Sequence, residues 1–510
     1  MLSKTYSYGI LGLEAYPITI EVDVSNGLPA TIIVGLPDNA VKESKERVRT
    51  AIKNSGYQFS AQRITVNLSP ADIKKAGSSF DLPIALGILA ATEQIFASAL
   101  EKYIILGQLS LDGRIQPIEG ALTIALSIPP HQFEGILLPS VNACEAAVAS
   151  HIKIYPVKTL SEVIHFFQSP ESISPETTDV QNLFKQSPRY DIDFADVKGQ
   201  GLVKRGLEIA AAGGHNVLLI GPPGSGKTML AKRLATILPD MTFKEALETT
   251  KIHSVAGLTA PNSSLITTRP FRSPHHTASH IALVGGGSIP KPGEVTLSHN
   301  GILFLDELPE FNRNVLESLR QPLEDHYVTI ARAIKTLRFP AQFMLVGAMN
   351  PCPCGWYTDP KKACHCSPLH IQRYLNKISG PLLDRIDIHL EVPTVNYQDL
   401  SSTRPAENSA QIKGRINQAR TIQIKRFSAD GHLVCNAHMP HKQVRKFCLL
   451  EKDGNDLLKK AMTELNFSAR AYDKILKVAR TIADLEGAEQ IKTEHLAEAI
   501  QYRSLDRNWW

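Results

Sequence analysis

The 510-residue sequence is poor in cysteine, in net charge and in long apolar runs, and each shortage closes a class of protein. Seven cysteines in a chain of this length cannot make a disulfide scaffold. A net charge of +5 is too mild to imply a polyanionic partner from global charge, so any nucleic-acid argument has to come from local features. No uninterrupted apolar run is long enough to cross a bilayer, and Met1-Leu-Ser-Lys-Thr-Tyr-Ser-Tyr has no basic segment followed by an apolar one. The expected location is the cytoplasm, with no membrane partner. There is no tandem repeat. What is present is ample apolar content, at 43%, in a chain longer than one hydrophobic core supports, so several domains are expected.

The most informative stretch is Leu218-Leu-Ile-Gly-Pro-Pro-Gly-Ser-Gly-Lys-Thr228, a short apolar run feeding a glycine-rich turn and then a helical pattern. Gly221, Pro222, Pro223, Gly224, Ser225 and Gly226 form a loop whose backbone N–H groups can cradle phosphates. Lys227 is placed to reach the β/γ-phosphates of ATP, and the Thr228 hydroxyl to ligate Mg²⁺. About eighty residues on, Gly301-Ile-Leu-Phe-Leu ends in Asp306 and Glu307, which in this setting predict a Mg²⁺-holding carboxylate and a water-polarising one. A further strand ends at Asn350, which could orient the attacking water. Arg385 and Arg470 are guanidinium groups that could neutralise a transferring phosphoryl group, though residue type alone leaves a structural ion pair open for either.

Four of the cysteines crowd into Cys352-x-Cys354-(x₉)-Cys364-x-Cys366, in a polar loop with Pro351, Pro353 and Gly355. A tetrahedral structural Zn²⁺ site is the natural use of four clustered thiols in a reducing compartment. Two cationic insertions follow from irregular composition: Arg269 to Gly293, with Arg269, Arg272 and Lys291, and a predicted hairpin from Tyr327 to Phe339, with Arg332, Lys335 and Arg338. These six are candidate contacts to a DNA backbone. The stretch 411–450 carries Lys413, Arg415, Arg420, Lys425, Arg426, Lys442, Arg445 and Lys446 against the single acid Asp430, and reads equally as a DNA-facing or a solvated face. Aromatics are sparse there, which favours backbone contact over sequence readout.

Alternation of strand-like and helical patterns divides the chain into an α/β domain over 1–167, a Ser/Pro-rich linker over 168–190, a P-loop α/β core with a largely parallel sheet over 191–400, and a helical domain over 401–510. The phosphate loop, Leu305-Asp-Glu-Leu308, Ala348-Met-Asn-Pro351, Leu383-Asp-Arg-Ile-Asp387 and Ser468-Ala-Arg470 together resemble the magnesium-chelatase-like branch of the AAA+ ATPases, and within it the YifB/ComM family. The resemblance covers essentially the whole chain. It implies an AAA+ core with a helical lid, Asn350 as sensor-1, Arg385 as arginine finger, Arg470 as sensor-2, and a homo-hexameric ring. It further implies an ATP-driven motor on single-stranded and branched DNA, acting in branch migration or strand separation during natural transformation and recombination.

The N-terminal stretches Gly77-Ser-Ser-Phe-Asp-Leu-Pro-Ile-Ala85 and Gly107 to Gly120 resemble the proteolytic domain of Lon, whose serine is activated by a lysine. Ser79 falls where that serine belongs, but the position matching the lysine is Leu122, which accepts no proton. The domain is therefore expected to be non-proteolytic. Two rival functions remain: a magnesium-chelatase-type ATPase that remodels a partner protein, disfavoured because such a subunit is not expected to carry this N-terminal domain, and a Lon-like ATP-dependent protease, opposed by Leu122.

Overall fold

The strand Leu2–Leu11 pairs antiparallel with Glu14–Ser25 along its whole length. Its alternate residues Ser3, Thr5 and Ser7 are buried polar side chains, so it shows no apolar alternation to read. The hydroxyls of Ser3 and Thr5 are satisfied by the carbonyls of Gly87 and Pro83 on the helix Asp81–Ala91.

The computed structural model describes the chain except for residues 76, 186–189, 288–289, 332–335, 358, 360–361, 396–405, 429–432, 466 and 504–510. It divides into two compact units, residues 1–187 with 243–267, and 188–242 with 268–510. The N-terminal unit is built on a mixed seven-stranded sheet in the order Ala30–Val34, Arg63–Ser69, Glu14–Ser25, Leu2–Leu11, Tyr103–Ile105, Gly135–Pro139, Ile154–Val157. The helix Asn39–Asn54 starts where Asp38 accepts the amide of Val41. Every residue of the helix Asp81–Ala91 is buried, which gives it no amphipathic stripe and makes it the central element of this core.

The segment 243–267 falls by sequence inside the nucleotide-binding unit, yet it packs with the N-terminal one. Its helix Phe243–Val255 lies against the helix Ala121–Ser127, and the amide of Gly120 donates to the Ser254 carbonyl at 3.0 Å. Glu145, 2% exposed, accepts the Leu122 amide at 3.0 Å and hydroxyl bonds from Ser254 and, at 3.3 Å, Thr259. Leu122, the position where a proteolytic lysine would stand, is a fully buried apolar side chain.

The second unit has a five-stranded sheet in the order Phe271–Arg272, Ile302–Leu305, Met344–Met349, Val217–Ile220, Ile388–Glu391, with every pairing parallel. Its three central strands are buried at every residue and read as unbroken apolar runs, as expected of a sheet covered on both faces. Helices follow from Ser409 to Gln501, at 409–426, 441–447, 452–464, 469–485 and 493–501. They share one hydrophobic core with the sheet: Val217, Phe304 and Val346 belong with Ile412, Ile475 and Leu496. The third of them has Glu451 at the cap and Asn455 inside the first turn, its side chain donating to the carbonyls of Leu450 and Glu451. The 400/401 boundary lies outside the described residues. Among those described, no helix is long and apolar enough to cross a membrane.

Candidate nucleotide and metal sites

The strand Val217–Ile220 delivers the phosphate loop at its C-terminal end, and the helix Lys227–Ile237 leaves it. Gly224 and Gly226 take φ of +76° and +91°, a region an L side chain enters only at a cost, so the loop's tight reversal depends on glycine. Among the described residues the buried Ser225 Oγ has no hydrogen-bond partner, and a phosphate oxygen in the loop would satisfy it. Behind the loop, the Gln200 amide donates to the carbonyls of Ser225 and Pro393, both at 2.9 Å, and ties it to the edge of the sheet.

Lys227 is buried, and its ammonium donates to Gly221 O at 2.8 Å, Pro222 O at 3.0 Å and Asn350 Oδ1 at 3.1 Å. Burial holds its pKa below the usual lysine value, opposed by the carboxylate of Asp306. The neighbouring strand Ile302–Leu305 brings Asp306 to the same edge, where its Oδ2 accepts the Thr228 hydroxyl at 2.6 Å. Hydroxyl and carboxylate converge as a Mg²⁺ ligand pair requires, so these residues fit the ion. Glu307 follows in the left-handed region at φ +52°, its amide donating to Asp306 Oδ1 at 3.0 Å. The His276 Nδ1 lies 3.4 Å from Glu307 Oε2. Lys227, Thr228, Asp306, Glu307 and Asn350 are thus brought together at one end of the sheet.

Arg385 and Arg470 are not in that group. Arg385 precedes Ile388, and Ile388 pairs with Val217, the first residue of the phosphate-loop strand. The four paired residues alone span about 13 Å, so Arg385 sits at the end of the sheet opposite its own phosphate loop. Arg470 is there too: Arg385 and Arg470 share the carboxylate of Glu324, Arg385 in close contact and Arg470 at 3.6 Å. The Arg385 guanidinium beside it holds the Glu324 carboxyl below the usual range. The three line a cleft of about 640 Å³ together with Asp473, Lys474 and Lys477.

The four cysteine Sγ atoms lie within 4.8 Å of one another. Three of the separations are 3.3, 3.6 and 3.7 Å. Zn–S bonds of about 2.3 Å in a tetrahedron put sulfur atoms about 3.8 Å apart, so the four thiols fit one Zn²⁺. Amide donation from Trp356 pulls the Cys354 thiol down to about 6, whereas burial pushes Cys352 up to about 12.

The cationic insertions divide. Arg269 donates to the carbonyls of Pro239, Asn300 and Asp240, and Arg272 forms a two-bond pair with Glu294 at 2.6 and 2.7 Å. Both candidate DNA contacts are therefore already committed inside the chain. Lys291 is exposed, as is Arg338, whose guanidinium lies 4.8 Å from the Tyr327 ring on the hairpin Tyr327–Ala331/Thr336–Pro340. Arg332 and Lys335 lie outside the described residues. Sequence reasoning passed over His276, Gln200 and Glu324. The paired histidines 275 and 276 in a Gly/Pro-rich insertion were a visible signal for the first, whereas nothing local marks Gln200 or Glu324.

Comparison with known proteins gives a consistent set of relatives. Residues 193–400 match the family described as magnesium chelatase, subunit ChlI, residues 20–142 the family described as subunit ChlI of Mg-chelatase, and residues 406–503 its C-terminal family. The chain is 45% identical over 509 residues to competence protein ComM of Haemophilus influenzae, covering 99% of this chain and 98% of that one. It is equally 45% identical to YifB of Salmonella typhimurium over 508 residues, with 99% and 98% covered. A chloroplastic magnesium-chelatase subunit ChlI of Nicotiana tabacum is 22% identical over 347 residues, 63% of this chain and 75% of that one. With Lys227, Thr228, Asp306, Glu307 and Asn350 converging at one end of the sheet, the chain belongs to the YifB/ComM family of magnesium-chelatase-like AAA+ ATPases.

Proposed function

We propose that this ATPase is a ring-forming motor that uses ATP hydrolysis to move along or separate DNA strands, on single-stranded and branched substrates. The observation that carries the ring is the split of the hydrolytic groups between two ends of one sheet. Lys227 holds the β/γ-phosphates, Glu307 takes a proton from the attacking water as the β–γ bridge bond breaks, and Asn350 keeps that water in line. Mg²⁺, when bound by Thr228 and Asp306, neutralises phosphate charge. Arg385 and Arg470, at the far end, serve the neighbouring subunit's nucleotide, so each site is completed only by assembly into a homo-hexamer. The Cys352, Cys354, Cys364 and Cys366 thiolates hold a structural Zn²⁺, since four protein ligands leave no open position.

DNA as the substrate is supported by the competence role in the name of the Haemophilus influenzae relative and by the exposed cations Lys291 and Arg338. The N-terminal unit is a Lon-like fold without protease chemistry, because Leu122 offers no base to Ser79. A second reading, remodelling of a protein partner, is favoured by the magnesium-chelatase descriptions of all three matched families, including that over 20–142, where the sequence argument expects no such match. ATP hydrolysis measured with single-stranded DNA and with unfolded protein separates them: stimulation by DNA supports the motor, and stimulation by unfolded protein alone refutes it.

A further inference from the structure

The cysteine loop leaves the sheet directly after Asn350, the residue whose amide oxygen receives Lys227, and returns to touch the phosphate loop itself. The Gly355 amide donates to the Cys352 carbonyl at 3.0 Å, and Gly355 takes φ +84°. This turn lays its backbone on the pyrrolidine of Pro223, so closely that a Cβ at 355 would stand 2.4 Å from Pro223 Cδ and 2.6 Å from Cγ. No helix or strand lies between Pro351 and Ser367 among the described residues. Within it the four thiols converge, among them that of the fully buried Cys352. Pro223, the exposed crest of the phosphate loop, thus rests on a turn that starts at one of the four cysteines and closes on that residue's carbonyl.

We infer that the metal bound by Cys352, Cys354, Cys364 and Cys366 braces the phosphate loop through Gly355 and Pro223, so that metal occupancy sets the affinity for nucleotide. The inference rests on the nucleotide and zinc readings above and adds a coupling between them. With no metal to share, the four side chains are thiols joined only by weak hydrogen bonds, so the loop loses the four bonds that would fix its turn, which lets Gly355 withdraw from Pro223 and loosens the root of the loop at Asn350. An unbraced phosphate loop must then be ordered by the nucleotide at the expense of affinity.

The test uses the full-length protein. Zinc per chain is measured by atomic emission, and affinity by fluorescence of a ribose-labelled ATP analogue with Mg²⁺ restored, before and after treatment with a zinc-selective chelator. The expected result is about one zinc per chain and an affinity at least tenfold weaker after its removal, recovered on adding zinc back. Because stripped protein could unfold, Gly355→Ala provides a second arm. It keeps all four thiolates and so retains zinc, yet loses affinity at least tenfold, and Pro223→Ala in the same chain restores part of the loss by removing the ring that the new Cβ meets. Unchanged affinity in stripped, folded protein, or in Gly355→Ala, overturns the coupling while leaving nucleotide binding intact. Protein purified without zinc overturns it through the metal reading, and zinc-loaded protein that binds no ATP analogue overturns it through the nucleotide reading.

Discussion

Lys227 is the residue on which most of the nucleotide site closes, since its one ammonium spans two loop carbonyls and the amide oxygen of Asn350. Replacing it with alanine removes the charge that meets the phosphates, and ATP binding measured by equilibrium titration is expected to fall below detection. Glu307→Gln leaves the phosphate cradle untouched and removes the proton acceptor. Binding is therefore expected to persist while steady-state hydrolysis drops about 10²- to 10⁴-fold. Both residues were legible in the sequence because their chemistry is local: a strand, a turn and a helix within a dozen positions fix where Lys227 points, and a strand end fixes Asp306 and Glu307. Arg385 and Arg470 stand in motifs that carry the family resemblance, while residue type alone left a structural ion pair open for either. Their common carboxylate, Glu324, lies 61 and 146 positions away in the sequence, and the end of the sheet they occupy follows from strand pairing that no local pattern encodes.

Among the elements, buried central strands and strongly periodic helices were readable, while the roles of charged helix faces were not. The basic stretch 411–450 reads equally as a DNA-facing or a solvated surface; on its helix Ser409–Arg426, Lys413 pairs with Asp240, Arg415 with Glu208 and Glu407, and Arg426 with Asp484, while Lys425, Lys442, Arg445 and Lys446 are exposed. Such pairings depend on partners from other elements, which no local pattern shows. The grouping of 243–267 with the N-terminal unit escaped the sequence for the same reason, since it hinges on Glu145 accepting from Leu122, Ser254 and Thr259. Glu145→Ala leaves those donors unpaired, and an expected loss of roughly 2–4 kcal/mol should appear as faster proteolytic cleavage near 256–267. A second element-level consequence concerns acid. The rings of His326, after the helix Arg320–Asp325, and His438, in the turn Asn436–His438, lie 4.4 Å apart. Burial first, and then neighbouring cations, lowers His438 to about 4 and His326 to about 3. The unfolded chain, with imidazoles near 6.5, then binds more protons than the folded one between about pH 6.5 and 4. Stability is expected to fall across that window by up to about 1.4 kcal/mol per pH unit for each imidazole, seen as a declining melting temperature. His326→Gln should flatten part of the slope.

At the scale of the whole molecule, Lys227 and Arg385 stand at opposite ends of one sheet, and the proposed ring is the assembly that would bring one subunit's Arg385 to its neighbour's phosphate loop. Arg385→Ala protein is expected to bind ATP and not hydrolyse it. Mixed with Lys227→Ala protein, it should regain part of the activity, because each Lys227→Ala subunit still offers its Arg385 to an intact phosphate loop next door. Absence of any recovery in rings shown to contain both variants would place Arg385 on its own subunit's nucleotide instead. The family, the nucleotide chemistry and the four-thiol cluster could be read from sequence because each is compressed into short motifs. The internal pairing of Arg269 and Arg272 had no such signature. The proposal that hydrolysis drives work on DNA is tested most directly by following release of a labelled strand from three-stranded DNA, with ATP, by the unmodified protein and by Glu307→Gln. The account predicts ATP-dependent strand release by the former and none by the latter. Strand release that proceeds equally without ATP or in Glu307→Gln, or none at all by the hydrolysing protein, would contradict it.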